Sequence, residues 1–575
     1  MSYQEQFDHW LASPALSPDE KNELLAIKDD EKEKESRFFS QLSFGTAGLR
    51  GTMGVGLYRM NLHVIRHATH SFAQVILKQP PAEVKKGVAI CYDCRNNSDI
   101  FAREAACIMV ANGISVRLFD AMRPTPELSF AIREYGCLAG INITASHNPK
   151  EYNGYKVYWS DGAQLPPLPA SQVAETMQAL DVFACPTPYE YDKAVAEGKI
   201  TIMGETTDEA FLAKCLAEVI DKNAMPAVAD NFKMVYTPFH GTGHYLIPEA
   251  LKRAGMKHVI CVPEQMVLDG NFPTVVSPNP ENAEGFALAV ELAKKNGAQF
   301  ILASDPDADR VGIMVAEADG SFKVISGNQT GVLLLDYIIT ARNSTNSMPK
   351  NPTMLKTIVT TEMARKVAEV NNVACHDTFT GFKFLAEKKD KLESANEGTV
   401  IFSYEESFGY MLGDFVRDKD AVTASLLLSE MAAHYAAKNM TLSQAIQSLF
   451  EKYGYYNERT INIEMQGVDG LKNMATMMQT LRQNPPTSIE GTSVVERRDY
   501  QDGSVVDTKT GATTSMELSG SNVLRYTLED GTVILVRPSG TEPKVKLYLL
   551  TSGSSSQDCD NKIEKYSNWK NSLVK

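Results

Sequence analysis

The sequence predicts an α/β protein of about four domains, three α/β blocks and a C-terminal α+β unit. Three observations lead there. Short apolar runs alternate with longer amphipathic stretches through most of the chain, the rhythm of βαβ units around mainly parallel sheets. Four strand-like runs with no long helical pattern between them occupy much of the C-terminal region, as in an antiparallel α+β unit. Finally, 575 residues divide into close to four domains at about 150 residues each.

Taken in order, the first forty residues read as helix. Ser17-Pro-Asp-Glu20 supplies a cap, a proline at the first helical position and acids in the first turn. The run Asp29-Asp-Glu-Lys-Glu-Lys-Glu35 reads as a solvated helical face. In the first block, Val88-Ala-Ile-Cys91, Ser115-Val-Arg-Leu-Phe119 and Gly140-Ile-Asn-Ile-Thr144 are strands, with helices at 100–112 and 126–135. Lys233 to Tyr236, His258 to Val262 and Gln299 to Ala303 repeat the pattern, and Lys356 to Val359 with Val400 to Ser403 repeat it again. The tail offers strands at 493–497, 522–527, 532–537 and 545–550.

Composition narrows the function class. Lys plus Arg number 57 and Asp plus Glu 71, a net charge of −14, which argues against a broad basic surface for nucleic acid or anionic lipid. Hydrophobic residues are 43% and charged residues 22%, the balance of a chain that buries several cores. The longest apolar stretches, such as Gly331-Val-Leu-Leu-Leu335, soon meet an acid, well short of the roughly 18 residues that span a bilayer. The opening Met1-Ser-Tyr-Gln-Glu-Gln-Phe-Asp8 lacks the regions of a signal peptide. Nine scattered cysteines do not form a secreted disulfide framework. Cys91 and Cys94 have CxxC spacing without a second pair and read as strand-end packing. The expectation is an acidic, soluble, cytoplasmic protein.

Four polar loops follow strand-like runs, where open α/β sheets place ligands. In Thr144-Ala-Ser-His-Asn-Pro149, Ser146 is a nucleophile candidate with His147 and Lys156 as assistants; an ordinary turn fits equally. In Asp305-Pro-Asp-Ala-Asp-Arg310, three alternating carboxylates need a cation. An EF-hand is excluded, because its sixth position would be Arg310 and its twelfth Ala316. In Ser403-Tyr-Glu-Glu-Ser-Phe-Gly409, acids and a serine suit sugar hydroxyls, with Thr378-Phe-Thr-Gly-Phe-Lys383 upstream and Arg417-Asp-Lys-Asp420 downstream. In Arg537-Pro-Ser-Gly-Thr541, a guanidinium, two hydroxyls and a glycine turn form an anion cradle that is not a Walker A loop. His63, His67 and His70 have helical spacing but read as solvated or capping residues. His240-Gly-Thr-Gly-His244 reads as a loop, and Met477 and Met478 as core.

In this order and spacing, these stretches and Phe44-Gly-Thr-Ala-Gly-Leu-Arg-Gly51 resemble the α-D-phosphohexomutase superfamily, in particular its phosphoglucomutase branch with phosphopentomutase-like members. The resemblance spans residues 44–541. It implies four domains around a central cleft, here a helical extension at 1–40, α/β domains at 41–208, 209–318 and 319–452, and an α+β domain at 453–575. It implies a phosphoserine at Ser146 and Mg2+ held by Ser146, Asp305, Asp307 and Asp309, with Arg310 steadying the phosphate. Lys156, His147 and Arg50 are implied in proton transfer and catalysis. Glu405 and Ser407 are implied in gripping the sugar hydroxyls, and Thr380, Gly381 and Lys383 in binding the substrate. Arg537, Ser539, Gly540 and Thr541 would hold the non-reacting phosphate, with Lys419 as a second contact.

The implied activity interconverts glucose 1-phosphate and glucose 6-phosphate, with glucose 1,6-bisphosphate as intermediate and activator. The implied partner is a small phosphosugar substrate, with no nucleic acid or membrane, and the implied assembly is a monomer or homodimer. Two departures bear on the sugar: Tyr404 stands where the branch usually has Gly before Glu-Glu-Ser, and Phe382 where some glucose-specific relatives carry Trp. A phosphopentomutase, a sugar 1,6-bisphosphate synthase, a sugar phosphatase and a binding protein without catalysis are the competing readings.

Overall fold

The alternating pattern folds into four sheets among the described residues of a computed structural model, which describes residues 1–45, 48–465, 470–539 and 544–573. The chain packs as two units, residues 1–325 with 408–439 and residues 326–407 with 440–575. No described helix is long and apolar enough to cross a membrane.

In the first unit, the helical extension is three capped helices, Tyr3–Ala12, Pro18–Ala26 and Glu31–Phe38. Ser2 with Glu5 and Ser17 with Glu20 form reciprocal capping boxes, each satisfying two amide donors that would otherwise lack partners. The first sheet comprises β1 (Leu49–Thr52), β2 (Val88–Tyr92), β3 (Val116–Phe119), β4 (Ala139–Ile143), β5 (Tyr152–Trp159) and β6 (Ile200–Met203), in the order β1-β5-β4-β2-β3-β6. The second comprises β7 (Lys233–Thr237), β8 (His258–Cys261), β9 (Phe300–Ser304), β10 (Val311–Ala316) and β11 (Phe322–Ile325), in the order β11-β10-β9-β7-β8. Both have the expected parallel centre, with antiparallel strands added at one edge. The antiparallel additions place the chemistry. The serine loop joins β4 to its antiparallel neighbour β5, and the triple-aspartate loop joins β9 to its antiparallel neighbour β10.

In the second unit, β12 (Pro352–Thr357) lies between β13 (Ala374–Thr378) and β14 (Thr399–Glu405), parallel to both. A separate sheet built from residues 455–553 is antiparallel throughout, with Lys544–Gly553 between Tyr455–Glu464 and Val533–Pro538. The strand expected at 356–359 lies earlier. Its ladder ends at Thr357, and Ile358 and Val359 instead join an apolar cluster with Tyr500, Leu535 and Tyr548.

The histidine expectation is corrected. His63 and His67 are buried, His63 beneath the N-terminal helices and His67 beside Met177 and Leu180. The His63 ring lies 5.7 Å from that of Trp10, and its Nε2 is 2.9 Å from Glu20 Oε1. Burial lowers the His67 pKa to about 4, so the ring is neutral and belongs to the core. Cys91 and Cys94 are buried free thiols, and burial pushes both well above the ordinary thiol range. Met478 is core, with Met477 packed against it.

Candidate active site

β4 ends at Ile143, and the chain turns back to β5 through Ser146, whose φ of 53° lies in the left-handed region. Its amide donates to Thr144 Oγ1 at 2.8 Å, and its Oγ donates to Asp305 Oδ2 at 2.8 Å. His147 Nδ1 is 3.2 Å from the same Oγ. Desolvation and then the charges of Arg310 and Arg50 push the His147 ring well below the ordinary range, leaving it neutral. The exposed Arg50 donates to Asn148 Oδ1 at 2.8 Å, reaching the far end of the turn.

The aspartate loop faces this serine. Asp305, Asp307 and Asp309 are at most 2% exposed, and each offers an oxygen within 4.8 Å of the others. Asp305 Oδ1 accepts the amides of Asp309 and Arg310 at 3.1 and 3.0 Å. Asp307 Oδ2 accepts Lys156 Nζ at 2.7 Å and Thr125 Oγ1 at 2.8 Å. Lys156 also reaches Asp309 Oδ2 at 3.3 Å, and Lys419 reaches that oxygen at 3.2 Å. Burial and the charges of Asp307 and Asp309 raise Asp305 well above the carboxylate range. Burial opposes ionisation of Asp307 too, but the adjacent Lys156 ammonium outweighs it and holds Asp307 low. Burial works against the Lys156 charge, and Asp307 and Asp309 more than offset it, so the ammonium persists.

This donor set fits a hard divalent cation. Asp307 Oδ1 and Asp309 Oδ1 are buried and accept no hydrogen bond among the described residues, and a buried carboxylate oxygen without a partner is costly. Arg310 sits beside the loop with its Nη1 3.2 Å from Glu281 Oε1.

The second unit carries the other expected residues. Glu405, at the end of β14, accepts the Gly381 amide at 2.5 Å. That contact joins the acidic loop to the Thr380–Gly381 turn that opens the helix Phe382–Ser394. Lys383, on the first turn of that helix, has its Nζ 4.8 Å from the Phe384 ring. Burial lowers its pKa to about 8. Ser407 is partly exposed. Arg537 hydrogen-bonds Tyr548, which also feels the charges of Glu406 and Glu405. The amide of Ser539 donates to Lys544 O at 2.8 Å. Gly540 and Thr541 lie outside the described residues. Lys419, which the resemblance put with Arg537, is engaged in the first unit by Asp309 and Asp418, both at 3.2 Å.

Several site neighbours escaped the sequence reading. Asn142 Nδ2 donates to Thr125 Oγ1 at 2.7 Å, orienting the hydroxyl that holds Asp307. Tyr158 and Gln164 fix Asp418 behind Lys419. The His240-Gly-Thr-Gly-His244 loop is a buttress: the Thr242 amide and hydroxyl both donate to the carbonyl of Pro306, within the aspartate loop. These contacts join residues far apart in sequence, so no local pattern announces them. Pro124-Thr-Pro126, which frames Thr125 at a helix start, was the one available local signal.

Comparisons with known proteins place the chain in a family. Sequence profiles of the phosphoglucomutase/phosphomannomutase family match throughout: α/β/α domain I at residues 41–182, domain II at 211–320, domain III at 326–453 and the C-terminal domain at 461–557. A phosphoglucomutase of Staphylococcus saprophyticus is 34% identical over 95% of this chain and 96% of its own. One from Staphylococcus aureus is 35% identical over 92% and 93%. The open form of a Paramecium phosphoglucomutase, parafusin, shares the fold at a TM-score of 0.65 and 19% identity, covering 93% of this chain and 95% of its own. With the four domain profiles in order along one chain and relatives aligned over nearly its whole length, this protein belongs to the phosphoglucomutase/phosphomannomutase family of mutase enzymes.

Proposed function

We propose that the chain is a Mg2+-dependent phosphoglucomutase that interconverts glucose 1-phosphate and glucose 6-phosphate through a phosphoserine at Ser146 and glucose 1,6-bisphosphate. The observation that carries this reading is the 2.8 Å contact of Ser146 Oγ with Asp305, inside a group of three buried carboxylates. A binding protein has no need for a nucleophile set on a metal-type cluster. The names of the Staphylococcus relatives support glucose as the sugar. The same reading divides the chain into 1–40, 41–208, 209–318, 319–452 and 453–575, and places it in the cytoplasm acting on small phosphosugars.

Asp305, Asp307 and Asp309 would hold Mg2+, which when bound offsets charge on the transferring phosphoryl group. In the first half-reaction the P–Oγ bond of phosphoserine breaks and a P–O bond forms to a free sugar hydroxyl, giving the bisphosphate. In the second, Ser146 Oγ takes back the other phosphoryl group and releases the isomer. Lys156 is the acid–base candidate: Asp307 and Asp309 keep it protonated, so in each half-reaction it can give its proton to the departing oxygen (Ser146 Oγ in the first, the sugar oxygen in the second) and take one back from the attacking hydroxyl. With the Ser146 proton given to Asp305, the neutral His147 in its Nδ1–H tautomer would donate to Ser146 Oγ while that hydroxyl is unphosphorylated. Glu405 and Ser407 supply acceptors and a hydroxyl for the sugar. Lys383, Arg537 and Ser539 supply donors for the non-reacting phosphate.

Incubation with glucose 1,6-bisphosphate is expected to raise the intact mass by one phosphoryl group, mapped to Ser146. Ser146→Ala abolishes both the gain and mutase turnover. Turnover surviving in that variant sinks the phosphoserine mechanism. Faster turnover of ribose 1-phosphate than glucose 1-phosphate reassigns the sugar, net accumulation of bisphosphate identifies a synthase, and sustained phosphate release identifies a phosphatase.

A further inference from the structure

One buried guanidinium lies behind the serine turn. Arg95 follows β2, and its side chain is fully buried. Its Nη1 donates to the carbonyls of Pro149 and Tyr152, each at 2.9 Å. Its Nη2 donates to the carbonyl of Ser146 at 2.6 Å and to that of Asn148. Four carbonyls of one turn thus converge on one planar cation, whose fork of fixed donors suits such a set in a way that a lysine's single ammonium does not. The charge is balanced by Asp93, 3.4 Å from Arg95 Nε. Asp93 in turn accepts the Arg95 amide and the Ser98 hydroxyl, each at 2.9 Å.

The second sheet's loop closes this clamp. The Phe272 ring stacks 5.1 Å from the Arg95 guanidinium carbon, and Asn271 Oδ1 accepts from Asn96 Nδ2 at 3.1 Å. Gly270 packs so closely that a Cβ there would lie 2.5 Å from the Asn96 amide nitrogen and 2.8 Å from the Cys94 carbonyl oxygen. The backbone contact therefore admits only glycine.

The clamp accounts for the strained serine. A non-glycine residue at positive φ persists only where its surroundings over-determine it. Turning the Ser146 carbonyl towards Arg95 accompanies that φ of 53° and leaves Oγ directed at Asp305. We propose that Arg95 is the positioning residue of the Ser146 turn: by gathering the carbonyls of Ser146, Asn148, Pro149 and Tyr152 it aims Oγ at the aspartate cluster, with Phe272 sealing the clamp. Its catalytic consequence rests on the reading of Ser146 as the phosphoryl carrier. Arg95 itself touches none of the reacting atoms.

The test compares wild type, Arg95→Lys and Arg95→Ala for melting temperature, steady-state kinetics with glucose 1-phosphate, and the rate of Ser146 phosphorylation by glucose 1,6-bisphosphate. Arg95→Lys is expected to melt within a few degrees of wild type and keep KM within about twofold, while kcat and the phosphorylation rate fall at least roughly tenfold, the scale of one misaligned charge-assisted contact. Arg95→Ala falls further and is partly and saturably rescued by added guanidinium ion, which general structural damage does not allow. Wild-type phosphorylation rates in Arg95→Lys, or a loss confined to KM, overturn the proposal. Should both Arg95 variants fail to fold, Phe272→Leu decides: reduced kcat at unchanged KM supports the clamp, and unchanged kcat overturns it. If Ser146 is not the phosphoryl carrier, the clamp itself is still read by amide hydrogen exchange at residues 144–153. Faster exchange in the folded variant supports it and unchanged protection overturns it.

Discussion

On the proposed function, Lys383 is a residue costly to the fold and useful to the site. Its ammonium lies beside the Phe384 ring, and among the described residues no carboxylate pairs with it. Burial, with Glu387 opposing, lowers its pKa to about 8. An ordinary lysine titrates near 10.5, so between about pH 8 and 10.5 the unfolded chain binds more protons than the folded one. Stability attributable to Lys383 therefore rises with pH across that window, and its cost is largest below it. Lys383→Met is accordingly expected to raise the melting temperature at pH 7. The same substitution should raise KM for glucose 1-phosphate roughly tenfold, because a charge-assisted hydrogen bond to phosphate is lost. In wild type KM should stay flat below pH 8 and climb above it, whereas Lys383→Arg should keep it flat. A wild-type KM that does not change across pH 8 would remove Lys383 from phosphate binding. The sequence disclosed Lys383 because it stands on a short loop of chemistry-bearing residues. It could not disclose Arg95 or Thr125, whose contacts with the site, to Ser146 and Asp307, span 51 and 182 positions.

At the scale of elements, the departure at Tyr404 has a structural counterpart. Tyr404 is buried in β14, stacked on Phe402 with ring centroids 5.3 Å apart. Across from it lies Gly331, on the helix Gly327–Ser344, where a Cβ would come within 2.1 Å of the Tyr404 ring. The large residue on the strand requires the small one on the helix. Gly331→Ala, an exchange that favours a helix interior by about 1 kcal/mol, should therefore destabilise by about 1–3 kcal/mol through overpacking. Tyr404→Ala leaves a cavity, expected to cost about 3–5 kcal/mol as for other large aromatic truncations. The double variant should lose clearly less than the two single losses combined, as denaturant unfolding can measure; additivity would mean that the two positions do not share this contact. Element types were legible where the pattern was local. The Ser17 cap and the β2, β4 and β9 strands fall within a residue or two of expectation. Lys356 to Val359 was misplaced because an apolar pair can pack on another cluster without belonging to the strand, and periodicity does not separate those cases.

At the scale of the molecule, the chain leaves its second unit for residues 408–439 and packs them into the first. Their centre is the helix Ala421–Ala437, buried on nearly all sides, including Leu426, Leu427, Leu428 and Met431. A helix apolar all round presents no stripe from which its neighbour can be read, so no sequence pattern points to its host. The structure packs it on the helices Glu205–Ala217, Ala224–Val228 and Gly243–Arg253. Glu430 accepts the amides of Ile220 and Asp221, and the residues just before the helix bring Lys419 to Asp309. Burial of each large apolar side chain stabilises by about 1.5–3 kcal/mol. Four such residues therefore rival the roughly 5–15 kcal/mol net stability of a domain. A fragment of residues 1–325 should consequently expose apolar surface, bind a hydrophobic dye and aggregate, although it contains both complete sheets of the first unit. Joining residues 408–439 to its end through a flexible linker should restore a cooperative melt. The restored fragment should also bind Mn2+, used as a paramagnetic probe of the aspartate cluster, and Asp307→Asn within it should weaken that binding by at least tenfold, since the metal site loses one of its three carboxylates. If the 1–325 fragment melts cooperatively near the full chain's temperature, the helix is an accessory. If instead the extended fragment folds but does not bind Mn2+, the three carboxylates are not a self-sufficient metal site.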